Sequence, residues 1–202
     1  MAVERVIGGE ERGPLPLVLV LHGVGADETQ LAPYVSADRP TRFVFLRGTL
    51  ASGRGYQWFA ARFKGDAPTF AAQLYRATAE VLQALDAIAS QREIARTVVL
   101  GYSQGAHVAW WLATTGRVDR VIAVSGALPA GMRPPAARRP PQIEALHGTR
   151  DLVVPFAAGQ ATARAFEAAG YPVRFRPLRL GGHSLSSIGQ EVAPAITGRL
   201  SL

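Results

Sequence analysis

The sequence predicts an α/β protein with a doubly wound, mainly parallel sheet. Five runs of four or five mostly apolar residues suit strands buried on both faces, and helical segments separate most of them. Alternating strands and helices favour parallel strands joined by crossover helices. The chain has 202 residues, 48% of them hydrophobic, which is enough for one buried core. We therefore expect a single domain over residues 1–202, with helices on both faces of the sheet.

The predicted elements follow from the spacing of apolar residues. The strands are placed at 17–21, 43–46, 97–100, 121–124, 143–146 and, as an alternating segment suited to a sheet edge, 173–180. The helices are placed at about 28–35, 69–90, 106–113, 156–169 and 185–196. Residues 49–68 are predicted to form a long loop with an aromatic cluster, and loops of that length are often functional.

Residues with catalytic chemistry follow the ends of three predicted strands. Ser103 lies in a G-x-S-x-G pattern after strand 97–100, Asp151 follows strand 143–146, and His183 follows the last strand. Carboxyl ends of parallel strands share one edge of the sheet, so these three side chains are expected to lie close together. A serine on a tight strand-to-helix turn also has an exposed hydroxyl beside free backbone N–H groups. The chain order Ser, Asp, His is the one that α/β-hydrolases use.

Other acids and another imidazole compete for these roles. Three acids that follow the serine lie before a strand, inside a strand and late in a helix, which are unsuitable places: Asp119, Glu144 and Glu167. His147 would break the order, and we expect it to pack beside the carboxylate loop. Two plain alternatives stay open, an ordinary turn serine at Ser103 and an Asx turn at Asp151.

Five stretches of the chain resemble landmarks of the phospholipase/carboxylesterase family of α/β-hydrolases. They are LHGVGADETQLAPY, YQWF, GYSQGA, HGTRDLVVPF and GGHSLS, and they extend from residue 21 to about residue 186. The family includes small bacterial carboxylesterases and acyl-protein thioesterases. The resemblance implies a serine hydrolase without cofactor or metal, acting on carboxylic esters or thioesters. It makes Ser103 the nucleophile, His183 the general base and Asp151 the residue that orients His183.

The resemblance also assigns groups around the nucleophile. The backbone N–H groups of Val24 and Gln104 are expected to form the oxyanion hole. Trp58 and Phe59 resemble a motif that lines the substrate pocket, with packing of the 49–68 loop as the alternative. Four further residues could line an acyl groove and could equally be core: Leu31, Leu128, Val153 and Phe156.

The chain departs from the family at two positions. Ala60 stands where an acidic residue usually follows the Trp-Phe pair, and His107 stands where a small or apolar residue is usual. We expect His107 to have a packing role, and His22 to be a structural hydrogen-bonding residue. Many α/β-hydrolases insert a cap domain after the strand equivalent to 121–124, but only residues 128–142 are available here, so we expect no cap domain.

Charge and composition limit the partners. The net charge of +7 raises the question of nucleic acid or an anionic membrane surface, but the arginines are scattered, so a solvated surface is the favoured interpretation and no nucleic-acid partner is expected. The chain has no cysteine, which excludes a disulfide framework and a thiolate nucleophile. No apolar stretch approaches membrane-spanning length, so we expect a cytoplasmic protein without stable membrane insertion. The family includes dimers, which leaves a homodimer open.

The function that these observations favour is a serine esterase acting on short- to medium-chain acyl esters, or on thioesters, through an acyl-enzyme. Two alternatives remain. One is a lysophospholipase or another hydrolase on the same fold, and the other is a catalytically silent binding protein with a hydrolase scaffold. The complete Ser103, Asp151 and His183 set argues against the silent protein.

Overall fold

The computed structural model describes residues 2–10 and 13–189. Over these ranges the strands are β1 (Ala2–Ile7), β2 (Leu15–Leu21), β3 (Thr41–Leu46), β4 (Leu50–Ser52), β5 (Gly55–Gln57), β6 (Ile94–Tyr102), β7 (Arg120–Val124), β8 (Gln142–Gly148) and β9 (Val173–Leu178). The α-helices that lie wholly within these ranges are α1 (Ala67–Ala89), α2 (Gln104–Leu112) and α3 (Phe156–Ala168). Short 3-10 turns cover Ala32–Tyr34 and Ala113–Thr115.

Seven of these strands form one sheet in the order β1-β3-β2-β6-β7-β8-β9. Every neighbouring pair is parallel except β1 with β3. The mainly parallel sheet predicted from the apolar runs is therefore confirmed, as is the edge position of the alternating strand β9. Strands β4 and β5 form a separate two-stranded hairpin.

Alternate residues of the central strands pack into two different cores. On β2, Leu17, Leu19 and Leu21 face a core with α1, α2 and α3, whereas Val18 and Val20 face a second core. The second core is covered by residues near the first 3-10 turn and near residues 185–188. This burial of both faces explains why β2 is a continuous apolar run.

Four predictions about elements need correction or completion. The helix at 28–35 is wrong: the chain forms turns there, and only Ala32–Tyr34 make a 3-10 turn. Strand β1 was not predicted, because AVERVI is an exposed edge strand with charged residues rather than an apolar run.

The 49–68 loop contains the β4–β5 hairpin and the start of α1, whose first turn is capped by Asp66 accepting a hydrogen bond from Thr69 N. Residues 185–189 are helical, and the rest of the predicted closing helix lies outside the described residues.

The segment between β7 and β8 is the place where a cap domain was considered. Residues 125–141, all of them described, contain no helix or strand. The expectation of no cap domain agrees with this segment. Within the described ranges, no helix combines the length and apolar content needed to cross a bilayer.

Candidate active site

Ser103 lies at the sharp turn between β6 and α2. Its backbone has φ 51° and ψ −114°, a strained conformation that is typical of a nucleophile on such a turn. The two positions that flank Ser103 in this pattern have room only for glycine. A Cβ on Gly101 would lie 2.3 Å from the carbonyl oxygen of Gly105, and a Cβ on Gly105 would lie 2.3 Å from that of Leu21. The G-x-S-x-G pattern therefore lets α2 pack directly against β2 and β6.

Three predicted side chains form a continuous hydrogen-bonded chain. Ser103 Oγ lies 2.8 Å from Nε2 of His183, and Nδ1 of His183 lies 2.7 Å from Oδ2 of Asp151. Asp151 is nearly fully buried, whereas the His183 side chain keeps some solvent exposure. The distances suit proton transfer from the hydroxyl to the imidazole.

The carboxylate of Asp151 is fixed by several donors. Its Oδ1 accepts hydrogen bonds from the backbone N–H groups of Val153 and Val154, both at 2.9 Å. His147 Nε2 lies 2.9 Å from Val154 O and 3.4 Å from Asp151 Oδ2. Burial opposes ionisation of Asp151, but hydrogen bonds from His147, His183 and Val154 outweigh it and hold the pKa of Asp151 well below its ordinary value. His147 thus packs beside the carboxylate loop, as expected from the sequence.

Tyr102, the residue before the serine, holds the loop that carries His183. Its hydroxyl donates a hydrogen bond of 2.7 Å to the backbone carbonyl of His183, and the two rings lie 5.6 Å apart. Burial raises the pKa of Tyr102 to about 12, so the phenol stays protonated and remains a donor near neutral pH.

The loop that carries Val24 is held tightly beside the serine. A Cβ placed on Gly23 would lie 3.3 Å from Cβ of Ser103, which shows how closely the two segments approach. The N–H of Gly23 donates to Oε1 of Gln30 at 2.8 Å. Within the described part of the chain, the backbone N–H groups of Val24 and Gln104 donate to no backbone group. Neither N–H group is therefore committed to a backbone partner.

His22 has a structural environment. Its Nδ1 lies 2.7 Å from the carbonyl oxygen of Gly23, and its Nε2 accepts a hydrogen bond of 2.9 Å from the N–H of Gly48. This arrangement requires a neutral ring with the proton on Nδ1. Burial lowers the pKa of His22, which favours the same neutral form.

An open cavity of about 610 Å³ begins at Ser103. Its lining is largely aromatic and aliphatic, with two cationic side chains and a few polar groups. The lining residues are Val24, Ser52, Gln57, Phe59, Ala60, Ala61, Arg62, Phe63, Lys64, Phe70, Ser103, Gln104, His107, Val153 and Val154. Of the predicted substrate-binding residues, Phe59 and Val153 thus line the cavity.

The other predicted substrate-binding residues do not line this cavity. Trp58 is buried, and its indole N–H donates to the carbonyl of His22 at 2.9 Å. Leu31 belongs to the core on the far face of the sheet, and Leu128 to the core under the helices. Phe156 is likewise absent from the lining and packs against His147 and Phe175 instead.

Gln104 has a role that the sequence reasoning missed. Its side-chain Oε1 accepts from the backbone N–H of Trp58 at 2.7 Å, and its Nε2 donates to the carbonyl of Phe59 at 2.7 Å. Gln73 accepts in the same way from the N–H groups of Ala60 and Ala61. Two glutamine side chains therefore hold the wall of the cavity. The polar side chain directly after the nucleophile was the available signal, but its partner could not be read from spacing.

The described residues contain no group of three or more His, Asp or Glu side chains arranged to hold a metal ion. No curated protein sequence matches this chain significantly.

Solved structures match the fold over nearly the whole chain. A carboxylesterase from Bacillus cereus is 23% identical with a TM-score of 0.77, covering 96% of this chain and 91% of its own. Acyl-protein thioesterase 2 from Zea mays is 21% identical with a TM-score of 0.74, and the match covers 98% of this chain and 99% of the thioesterase. A carboxylesterase from Mesorhizobium loti is 22% identical with a TM-score of 0.74, and the match covers 92% of this chain and 88% of the carboxylesterase. At these identities the likeness establishes the fold alone.

The family assignment comes from the sequence model described as phospholipase/carboxylesterase, which matches residues 2–195. That match includes the turn at Ser103, the Asp151 loop and His183. The chain therefore belongs to the phospholipase/carboxylesterase family of α/β-hydrolases.

Proposed function

We propose that this protein is a serine esterase that hydrolyses short- to medium-chain acyl esters or thioesters through a covalent acyl-enzyme. The observation that carries the proposal is the chain of contacts from Ser103 to His183 to Asp151, at 2.8 and 2.7 Å. The family supplies the class of reaction, and the named carboxylesterases and acyl-protein thioesterase among the structural neighbours support esters and thioesters as the bonds to test.

In the proposed mechanism, Ser103 Oγ attacks the carbonyl carbon while His183 Nε2 takes its proton. Asp151 accepts a hydrogen bond from Nδ1–H of His183, fixes the reactive tautomer and stabilises the imidazolium. The tetrahedral oxyanion receives hydrogen bonds from the N–H groups of Val24 and Gln104. His183 then protonates the departing alkoxide or thiolate. Water, activated by the same imidazole, hydrolyses the acyl-enzyme and restores Ser103.

The position of the cavity supports one assignment for the acyl half and the leaving-group half of the substrate. The leaving group must depart past His183, because that imidazole protonates it. The cavity is lined by Ser103, Val24 and Gln104, and His183 is not part of its lining. We therefore assign the acyl chain to the cavity, with Phe59 and Val153 in contact with it, and the leaving group to the solvent side near His183. Trp58, Leu31 and Leu128 stabilise the surrounding structure.

The test is hydrolysis of p-nitrophenyl esters from acetate to dodecanoate by the wild type and by Ser103→Ala. The wild type should turn over the shorter esters best, and the variant should lose at least about 10³-fold in kcat. Ser125→Ala is the matched control, since Ser125 also follows a strand end and has a positive φ of 53°. It should keep activity within a few-fold.

A fluorophosphonate probe gives a second readout. It should label the peptide that contains Ser103 in the wild type and in Ser125→Ala, and it should not label Ser103→Ala. A wild type that is inert towards the whole series, or a Ser103→Ala variant that keeps full activity, would overturn the proposal.

A further inference from the structure

His107 stands on α2, one helical turn beyond Ser103, and the family pattern does not explain it. The residue is 4% exposed and belongs to the lining of the cavity. Its ring stacks on Phe63 with the centroids 5.2 Å apart and the planes 4° from parallel. Phe70 meets the same ring edge to face at 5.3 Å. The cavity wall next to the nucleophile is therefore a packed aromatic cluster with one imidazole in it.

One nitrogen of His107 is occupied by the backbone. Nδ1 lies 2.5 Å from the carbonyl oxygen of Ala127, and the N–H of Ala127 points at the same nitrogen from 3.1 Å. Nδ1 therefore either donates to the carbonyl or accepts from the N–H, and both contacts use the same in-plane site of the ring. Burial lowers the pKa of His107 to about 4, so the ring is neutral at pH 7. In a neutral ring Nε2 is the second hydrogen-bonding site, an acceptor when the proton is on Nδ1 and a donor when it is on Nε2.

Nε2 has no partner within the described part of the protein. No hydrogen bond to Nε2 of His107 is present among the described residues, and the ring's neighbours there are the apolar rings of Phe59, Phe63 and Phe70. Nε2 is also not sealed: over residues 2–10 and 13–189, the one fully buried side-chain N or O atom without a partner is Oγ of Ser125. Nε2 therefore keeps some accessible surface, on a residue that lines the cavity.

We propose that His107 selects acyl groups that carry a hydroxyl, through a hydrogen bond between that hydroxyl and Nε2. The inference rests on the proposed esterase function and on the acyl chain entering the cavity. An acyl chain with a methyl group in the same place would leave Nε2 desolvated and without a hydrogen-bond partner, which is unfavourable. A hydroxyl can both donate and accept a hydrogen bond, so it pairs with Nε2 in either neutral form of the ring.

The reach of the chain limits where the hydroxyl can stand. Residues 103 and 107 are four positions apart on a helix, which corresponds to about 6 Å along its axis. The acyl carbon is bonded to Ser103 Oγ in the intermediate, so the hydroxyl should stand roughly two to four carbons beyond the carbonyl. Substrates of this class are esters or thioesters of 3- to 5-hydroxy acids.

The experiment compares near-isosteric pairs of ethyl esters: 3-hydroxybutanoate with 3-methylbutanoate, and 5-hydroxyhexanoate with 5-methylhexanoate. The measured quantity is the ratio of kcat/KM for the hydroxy ester to that for the methyl ester. In at least one pair, the wild-type ratio should exceed that of His107→Phe by about fivefold or more, the usual contribution of one hydrogen bond to a buried group. His107→Phe keeps a ring against Phe63 and removes the hydrogen-bonding nitrogen.

Two further variants separate selectivity from structure. His107→Gln places an amide near the position of Nε2 and should keep part of the preference for the hydroxy ester. Trp111→Phe is the matched control, because Trp111 lies one turn further along α2 and packs on Tyr75 outside the cavity. It should leave both ratios at the wild-type value, since it changes only general packing.

The outcomes distinguish the two proposals. If the wild type hydrolyses both members of each pair and the ratios are the same in His107→Phe, the selectivity inference is wrong and the esterase proposal stands. A loss of all activity in His107→Phe, together with an unchanged ratio in His107→Gln, would also count against selection by the ring. If the wild type hydrolyses no ester at all, the proposed function fails and this inference fails with it.

Discussion

Asp151 shows how one buried carboxylate is fixed from both sides. Its Oδ1 accepts two backbone N–H groups, and its Oδ2 faces the imidazoles of His183 and His147. Burial raises the pKa of Asp151, but its partners donate hydrogen bonds to the charged form, which is why that pKa lies below its ordinary value. The carboxylate is therefore ionised across the working pH range and holds the Nδ1 proton of His183 in place.

Asp151→Asn should lower kcat by about 10³- to 10⁴-fold with little change in KM. The new Oδ1 can still accept from Val153 and Val154, so the loop keeps its shape. The new NH₂ group would face Nδ1 of His183 and force the ring proton onto Nε2, which then cannot accept the proton of Ser103. Steady-state kinetics with p-nitrophenyl acetate measure the effect.

A matched control for Asp151→Asn is Asp119→Asn. Asp119 accepts a hydrogen bond from Thr97 N at the end of the sheet opposite to the catalytic residues. Its variant should keep kcat. If Asp151→Asn retained more than a tenth of the wild-type kcat, the assigned orientation of His183 would be wrong.

The segment between β2 and the first 3-10 turn is fixed by contacts with other segments, because it has no regular helix or strand of its own. Glu28 is nearly buried and receives Nε of Arg47 at 2.6 Å and Nη2 of Arg47 at 2.5 Å. The guanidinium of Arg47 also lies over the ring of Tyr56, 4.5 Å from its centroid. Tyr56 is joined to Ala26 by a backbone bridge. These contacts fix the loop that presents the N–H of Val24.

Glu28→Gln should lower the melting temperature by about 3–8 °C at pH 7, because a charge-assisted bidentate pair becomes a neutral contact. The hydrogen bonds from Arg47 lower the pKa of Glu28 to about 2, against an ordinary value of 4.5. A depressed pKa means that the stabilisation is complete above about pH 4.5 and is lost as the pH falls towards 2. The difference in unfolding free energy between wild type and variant should shrink over that window.

Urea unfolding at several pH values measures that difference. Glu167→Gln on α3 serves as a control, because no ion pair like that between Glu28 and Arg47 is present at Glu167 among the described residues. A constant difference between wild type and Glu28→Gln from pH 6 to pH 3 would show that the ion pair does not contribute in the folded state.

The strand-turn-helix element around Ser103 depends on close backbone contact. Gly105→Ala should destabilise the protein by about 3 kcal/mol or more, since the new methyl would meet the backbone oxygens of Leu21 and His22, which cannot give way. Gly53→Ala tests conformational freedom alone, because Gly53 has a φ of 60° and open space around it. Its cost should be only about 1–2 kcal/mol. Denaturant unfolding compares the two, and equal costs would contradict the packing argument.

At the scale of the whole molecule, one sheet separates two cores. All three tryptophans belong to or pack on the core under α1, α2 and α3, whereas Val20 belongs to the other core. Since the strands are shared, we propose that both cores unfold together, as one domain over residues 1–202. Val20→Ala should then lower the melting temperature by about 4–8 °C, equally by tryptophan fluorescence and by far-ultraviolet circular dichroism.

Leu19→Ala, on the same strand but facing the helices, is the matched partner of Val20→Ala. It should lower the melting temperature by the same amount in the fluorescence and the circular dichroism measurements. If Val20→Ala moved the circular dichroism transition and left the fluorescence transition in place, the two cores would be separate cooperative units.

The fold was largely predictable where residues are buried on both faces. The apolar runs of β2, β3, β6 and β7 identify central parallel strands, because only such strands tolerate continuous Val and Leu. Strand β1 was missed because an exposed edge strand needs no apolar run. The false helix at 28–35 arose because local spacing does not reveal that Glu28 bonds with Arg47, nineteen residues away.

By itself, the sequence determined the central strands, the sharp turn at Ser103 and the order Ser103, Asp151, His183, because strand ends in a parallel sheet share one edge and G-x-S-x-G demands close packing. Only the tertiary structure decided which side chains border the cavity and which merely pack. Trp58 is held inside by Gln104, whereas His107 lines the cavity. Those roles depend on contacts between segments far apart in the chain, and such contacts cannot be predicted from local residue spacing.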